Sequence, residues 1–171
     1  MRNSLKDMKI GLLFALLTLC FGFLLGGAFG AKEEQFKDKI KADAAAVFES
    51  VYHNDQAQVE KMSDKAWTYI KRGHFHGTGI GSAALALIAL LAMIQAPVLA
   101  KQINAILLGL GGLVYSICWT WAGFLIPALG SAGAAKDKIA LLAKPSAGMA
   151  LLGVLMATVL IAKDAFSPKT E

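Results

Sequence analysis

The sequence predicts an all-α integral membrane protein with four transmembrane helices and an extramembrane amphipathic helical hairpin between helices 1 and 2. Hydrophobic residues make up 56% of the chain and charged residues 17%, whereas soluble domains carry about 45–50% and about 25%. A bilayer span needs about 17–25 apolar residues. Four segments of at least this length contain no charged residue: 10–31, 77–100, 102–135 and 145–162.

This composition excludes a soluble globular enzyme, a disordered chain and a disulfide scaffold. The net charge is +5, but the basic residues lie beside the apolar segments, where they anchor helices and meet anionic lipid head groups. No basic stripe is interleaved with aromatic residues, so no nucleic-acid partner is predicted. Cys20 and Cys118 lie inside apolar segments without CxxC or zinc spacing, and we interpret them as packing residues.

The first element is a basic flank, residues 1–9, followed by transmembrane helix 1 at 10–31. A basic flank before an apolar run is typical of a secretory signal peptide. The apolar run is longer than the roughly 7–15 residues of a signal-peptide core. We therefore interpret the segment as an uncleaved signal-anchor helix.

The hydrophilic insert 32–73 follows, with equal numbers of acidic and basic residues. Its apolar residues recur three and four positions apart, which predicts two amphipathic helices, about 33–52 and 55–72, with Asn54 as the N-cap of the second. Together they form an antiparallel hairpin standing on the membrane. The apolar stripe of the first helix is the candidate partner-binding surface, and its members are Phe36, Ile40, Val47, Phe48 and Val51.

Transmembrane helix 2 is predicted at 78–100 and helix 3 at 103–129, with a tight connection at Lys101. The segment 130–145 reads as a loop that contains a short helix lying in the membrane interface. Transmembrane helix 4 occupies 146–162. A polar tail, residues 163–171, ends the chain.

The orientation follows from the positive charges that flank the first helix. Four spans place both termini on one side, and a basic N-terminal flank favours the cytoplasmic side. Counting every lysine and arginine favours the opposite orientation, but the basic residues of the insert are interleaved with acids. We therefore expect a bacterial inner-membrane protein with cytoplasmic termini and the hairpin outside.

Small residues recur four positions apart, as at Gly22, Gly26 and Gly30 in helix 1 and at Gly77 and Gly81 at the start of helix 2. In lipid, such a spacing lets helix backbones approach closely. The pattern fits packing inside the four-helix bundle, and it also fits a docking face for another subunit or a second copy.

The string His74-Phe75-His76 is the most unusual local feature, since the chain has only three histidines. Neutral imidazole is a common ligand of copper, zinc and iron. In an extended segment both rings can face one metal, whereas in a helix they diverge by about 200°. His74 and His76 are the candidate metal ligands, for a haem, a copper or zinc site, or a quinone pocket. The alternative is a pair of interfacial histidines, beside Lys71 and Arg72 that contact lipid phosphates.

Three aromatic residues in the second half of helix 3, Tyr115, Trp119 and Trp121, lie on the same side of the membrane as the two histidines. They are the candidate cofactor-binding residues and would line a pocket for a quinone head group or a porphyrin edge. An aromatic belt at the membrane interface is the alternative interpretation.

Two functions are carried forward from these observations. The first is a small subunit of a respiratory or other redox membrane complex that binds haem, copper or a quinone near the histidines without catalysing a reaction on its own. The second is a cofactor-free structural or assembly subunit whose hairpin docks a partner. Both place the protein in the lipid bilayer beside other membrane subunits or a second copy. Because no charged residue lies in the four spans, an ion-coupled transporter is not predicted.

Overall fold

The computed structural model describes residues 2–167 and contains only helices and their connections in this range. The all-α prediction is confirmed, with 89% of the structure helical. The predicted polar tail lies partly outside the described residues, from position 168 onward. The helices are α1 (Arg2–Asp7), α2 (Lys9–Ala45), α3 (Gln56–Met93), α4 (Val98–Leu129) and α5 (Ala132–Phe166).

The four long helices exceed what a bilayer core requires. They contain 32 to 38 residues, which corresponds to about 48–57 Å at the α-helical rise, against a hydrocarbon core of about 30 Å. Helix α2 is kinked at Lys32, whose φ of −141° and ψ of 26° are not helical. All four are long and apolar enough to cross a membrane. Their charge-free parts account for only part of each length, and the remainder carries most of the charged residues.

Helix α4 is the centre of the bundle. It packs against α2, α3 and α5, while α2 and α3 also pack against each other and α5 touches α3 lightly. Short connections join successive long helices, so that each long helix runs antiparallel to the next one in the chain. We call residues 32–76 and 118–144 the polar section of the bundle, and the rest of the four helices the apolar section.

Each section has its own buried core. In the apolar section, residues such as Ala15, Ile88 and Leu108 are almost completely buried. In the polar section, all four helices contribute to one cluster: Ile40, Ala44, Tyr52, Val59, Met62, Ala66, Tyr69, Ile70, Cys118, Ala122, Ile126, Ala135 and Ile139. The polar section is therefore packed from four helices rather than from the two that the sequence analysis expected.

The expected loop at 130–145 is not seen. Helix α5 begins at Ala132, capped by the Ser131 hydroxyl, which accepts a hydrogen bond from the Ala134 N–H at 3.2 Å, and it passes through Pro145 without ending. Its apolar face, with Ile139 3% exposed, packs into the polar-section core instead of lying on a membrane surface. The expectation was wrong because an amphipathic pattern shows that one face is covered without showing whether lipid or protein covers it.

The connection between α3 and α4 also lies earlier than expected. Helix α3 ends at Met93, and Pro97 precedes the first residue of α4. Proline removes a backbone donor and clashes with the preceding helical turn, which favours a break in the helix before Pro97. Lys101 therefore lies inside α4, where it is 7% exposed and its Nζ donates to the Ile94 carbonyl at 2.6 Å.

The chain reverses between α2 and α3 in residues 46–55. The first arm of the insert is shorter than expected, ending at Ala45, and Asp55 rather than Asn54 caps α3 by accepting the Gln58 N–H at 3.0 Å. His53 and Asn54 adopt left-handed backbone angles, with φ of 51° and 63°. This conformation turns the chain and places both residues at the exposed tip of the polar section.

Tyr52 connects the turn at residues 46–55 to the rest of the bundle. This residue is 2% exposed, and its hydroxyl donates to the carbonyl of Pro127 near the end of α4 at 2.7 Å. Burial raises the pKa of Tyr52, which keeps the phenol protonated as the donor. The tip is therefore held to α4 by a buried hydrogen bond as well as by apolar contacts.

Candidate functional site

The candidate site residues lie at the junction of the apolar and polar sections. His74 and His76 belong to α3, which is an uninterrupted helix at this point. Residues two positions apart on a helix point in directions that differ by about 200°. The two rings accordingly face different neighbours, His74 toward α2 and His76 toward α4.

His74 joins α3 to α2. Its Nδ1 donates to the carbonyl oxygen of Gly22 at 2.8 Å, and because a carbonyl oxygen only accepts, Nδ1 carries the proton. The ring occupies the space above Gly26, where an added Cβ would lie 2.5 Å from the His74 Cε1. The ring of Phe29 meets it edge-on, with centroids 5.8 Å apart. These contacts make His74 an interhelical connector.

His76 lies against the aromatic residues of α4. Its ring centroid is 4.9 Å from that of Tyr115 and 6.0 Å from that of Trp119. It directly precedes Gly77, where the apolar segment 77–100 begins. Burial lowers the pKa of His76, and the positive charge of Arg72 lowers it further. The neutral imidazole is therefore the favoured form in the folded protein.

The structure thus brings together three of the five candidate residues, His76, Tyr115 and Trp119. His74 lies on another face of α3, and Trp121 is 47% exposed on the outside of α4. Among the described residues, no group of three or more His, Cys, Asp or Glu side chains is placed to hold a metal ion. The assignment of His74 and His76 as ligands of haem or copper stays a prediction.

The sequence analysis missed Lys136 as a neighbour of the site. Its Nζ lies 5.8 Å from the ring centroid of Tyr69, and the guanidinium of Arg72 lies 4.9 Å from the same centroid and 5.0 Å from that of Trp119. No sequence signal pairs a residue of α5 with one of α3, because helical periodicity describes each helix separately. The nearby Trp119 Nε1 is buried and has no hydrogen-bond partner in the structure.

The candidate partner-binding stripe packs within the chain. Ile40 is 2% exposed, and Phe36 stacks on Phe124 of α4 with ring centroids 6.1 Å apart. The other three members, Val47, Phe48 and Val51, are half-buried against the polar-section core. The stripe therefore does not form a free apolar surface, because residues of α4 such as Phe124 pack against it.

No protein-family model, curated protein or solved structure matches this chain. The class that the structure supports is an all-helical protein with four helices long and apolar enough to cross a membrane. Functional inference for this chain accordingly depends on its own geometry.

Acidification is expected to destabilise the protein through His76. Since folding lowers the pKa of this group, the unfolded chain binds the proton more readily. The contribution of His76 to the stability is therefore fully present above the ordinary pKa of 6.5 and is lost as the pH drops below it. We expect the thermal midpoint of the protein in detergent to be lower at about pH 5.5 than at about pH 7.5. The difference between the two midpoints should be smaller in His76→Gln. His53→Gln, at the exposed tip, is the control; a response lost there instead of in H76Q would contradict the assignment.

Proposed function

We propose that this protein is a structural or assembly subunit of a membrane complex, with the apolar section in the bilayer and the polar section as a rigid platform beside it. This proposal depends on two observations. All four long helices extend into the polar section, α2 after a kink at Lys32, and the polar section has a buried core of its own. A loose hairpin would have no such core. A platform of this kind positions a partner at a set height above the membrane.

The dimensions support this arrangement. Residues 56–72 of α3 precede the junction with the apolar section and correspond to roughly 25 Å of helix. This length is added to an apolar section that matches a bilayer core. The platform surface carries the charged residues, including the ion pairs of Lys37 with Glu33 and of Lys39 with Asp43, which suits contact with water.

The basic flank before the first helix supports cytoplasmic termini and a platform on the outer side of a bacterial inner membrane. On this orientation the tip at residues 46–55 lies at the end of the polar section that points away from the bilayer. The tip exposes Glu49, His53 and Asn54. Two consecutive left-handed residues are an unusual backbone feature of the kind that clusters at functional sites. We therefore place the partner contact at the tip rather than on the buried stripe.

Cross-linking in native membranes followed by affinity purification tests this function. We expect wild-type protein to recover a partner with cross-links in residues 46–55, and the double variant Glu49→Lys/His53→Ala to lose most of it. Glu60→Lys, a charge reversal at an exposed position of α3, is the matched control and should retain the partner. Recovery of the chain alone, or equal recovery by both variants, would count against the proposal.

A redox subunit is the second candidate, favoured by one feature of His74. Metal-bound histidines typically donate their second ring N–H to a carbonyl or carboxylate, and His74 Nδ1 donates to the Gly22 carbonyl in this way. The test is a visible spectrum of oxidised and dithionite-reduced protein in nanodiscs prepared directly from native membranes, together with elemental analysis. A Soret band or stoichiometric copper that disappears in His74→Ala would favour this function; colourless, metal-free protein would exclude it.

A further inference from the structure

Two cations from different helices converge on one buried aromatic ring. Arg72 of α3 and Lys136 of α5 lie 4.9 Å and 5.8 Å from the ring centroid of Tyr69. Within residues 4–167, the carboxylates that form ion pairs are all on α2, and neither Arg72 nor Lys136 has one within 4.0 Å. Two positive charges near one ring, neither of them paired with a carboxylate, attract an anion from outside the chain.

The pair lies at the depth of lipid phosphates if the apolar section is in the bilayer. Arg72 is the last charged residue before the apolar segment 77–100 and lies five residues before Gly77, which is about 7 Å along the helix. The head-group layer on each side of a bilayer is about 5–7 Å thick. Trp121, half-exposed on α4, is the kind of residue that marks this layer.

An apolar groove lies between α3 and α5 below the two cations. Gly79 and Ala83 form one wall, Ala150 and Val154 the other, and Leu108 of α4 lies at its base. Gly79 and Ala83 follow Arg72 by seven and eleven residues, and Ala150 and Val154 follow Lys136 by fourteen and eighteen. These intervals are close to whole helical turns, so that the groove lies on the same helix faces as the cations.

We propose that Arg72, Lys136 and this groove bind one anionic phospholipid of the surrounding bilayer. The phosphate lies between the guanidinium and the ammonium group, and an acyl chain fills the groove. Arginine presents several donors to a phosphate and lysine adds a point charge. The indole of Trp119 lies under the Arg72 guanidinium, 5.0 Å from the ring centroid, and packs this end of the site. The proposal rests on the membrane placement of the apolar section and not on the partner contact at the tip.

Native mass spectrometry with phosphatidylglycerol and phosphatidylcholine tests the site. We expect the wild-type protein to retain phosphatidylglycerol preferentially, and Arg72→Gln/Lys136→Gln to lose roughly 30-fold in apparent affinity for it, as two basic groups near a lipid surface would contribute. Lys138→Gln removes an exposed cation of α5 that lies over no aromatic ring, and it should bind as the wild type does. Unchanged retention by the double variant would overturn the proposal.

A second pair of variants tests the groove. A Cβ added at Gly79 meets nothing within 4 Å. Gly79→Leu therefore extends a side chain from an open position into the groove and should displace the lipid. Gly27→Leu, also in open space but on α2, is the control. The assignment would be overturned if inorganic phosphate raised the thermal midpoint as much as the lipid does. It would also be overturned if the wild type were a dimer that G79L converts to a monomer while the lipid stays bound. The tip variant should still bind lipid, so this test and the partner test fail separately.

Discussion

Replacing Gly77 by alanine is expected to destabilise the protein by about 1–3 kcal/mol, because the new methyl group overpacks a helix contact. A Cβ at Gly77 would lie 2.7 Å from the Gly22 Cα and 2.9 Å from its nitrogen. These are backbone atoms, so α2 and α3 must move apart to admit it. The same movement weakens the hydrogen bond from His74 to the Gly22 carbonyl.

Gly27→Ala is the matched control, because a Cβ there meets nothing within 4 Å. Alanine in an open helical position stabilises by about 0.5–1 kcal/mol relative to glycine. The two substitutions are therefore expected to shift the thermal midpoint in opposite directions. Circular dichroism of protein purified in detergent measures both shifts. A Gly77→Ala variant as stable as Gly27→Ala would mean that α2 and α3 do not approach as described.

Ile139→Ala is expected to cost about 2–5 kcal/mol, the usual cost of truncating a fully buried aliphatic side chain. Ile139 is 3% exposed in the polar-section core. If this part of α5 lay on a membrane surface as a separate amphipathic helix, the substitution would leave the stability of the bundle nearly unchanged.

Leu141→Ala provides the comparison within the same helical turn. Leu141 is 86% exposed, and a surface substitution usually changes stability by no more than about 0.5 kcal/mol. Denaturant unfolding followed by tryptophan fluorescence reports on the polar section, since Trp67 and Trp119 both contact its core. Equal effects of the two substitutions would contradict the packing of α5 against α3 and α4.

The four long helices were predictable because length and charge exclusion are properties of single segments. Runs such as 10–31 and 145–162 contain no charge, and each falls within one helix of the structure. The apolar stripe through Ile40 was also predictable, since a helical spacing marks the face that is covered. These signals act within one element and need no knowledge of its neighbours.

The neighbours of each face were not predictable, because periodicity does not say what covers it. The sequence pattern of an apolar face is the same whether lipid or protein covers it. The start of α5 was therefore expected at the membrane surface. The sequence left open whether His74 and His76 lie in an extended segment or in a helix. Gly73 and Gly77 lie at helix contacts, and the continuous helix separates the two rings. Lys136 joined the site only through the packing of α5.

Hydrogen exchange of the protein in nanodiscs, read by mass spectrometry, tests the rigid platform most directly. Protection follows the free energy of local opening. We predict that residues 33–45, 56–72 and 132–143 exchange as slowly as residues 104–117 of α4, with fast exchange confined to the exposed tip. Exchange within seconds throughout 33–72 would show a loose hairpin and contradict both the shared core and the function proposed from it.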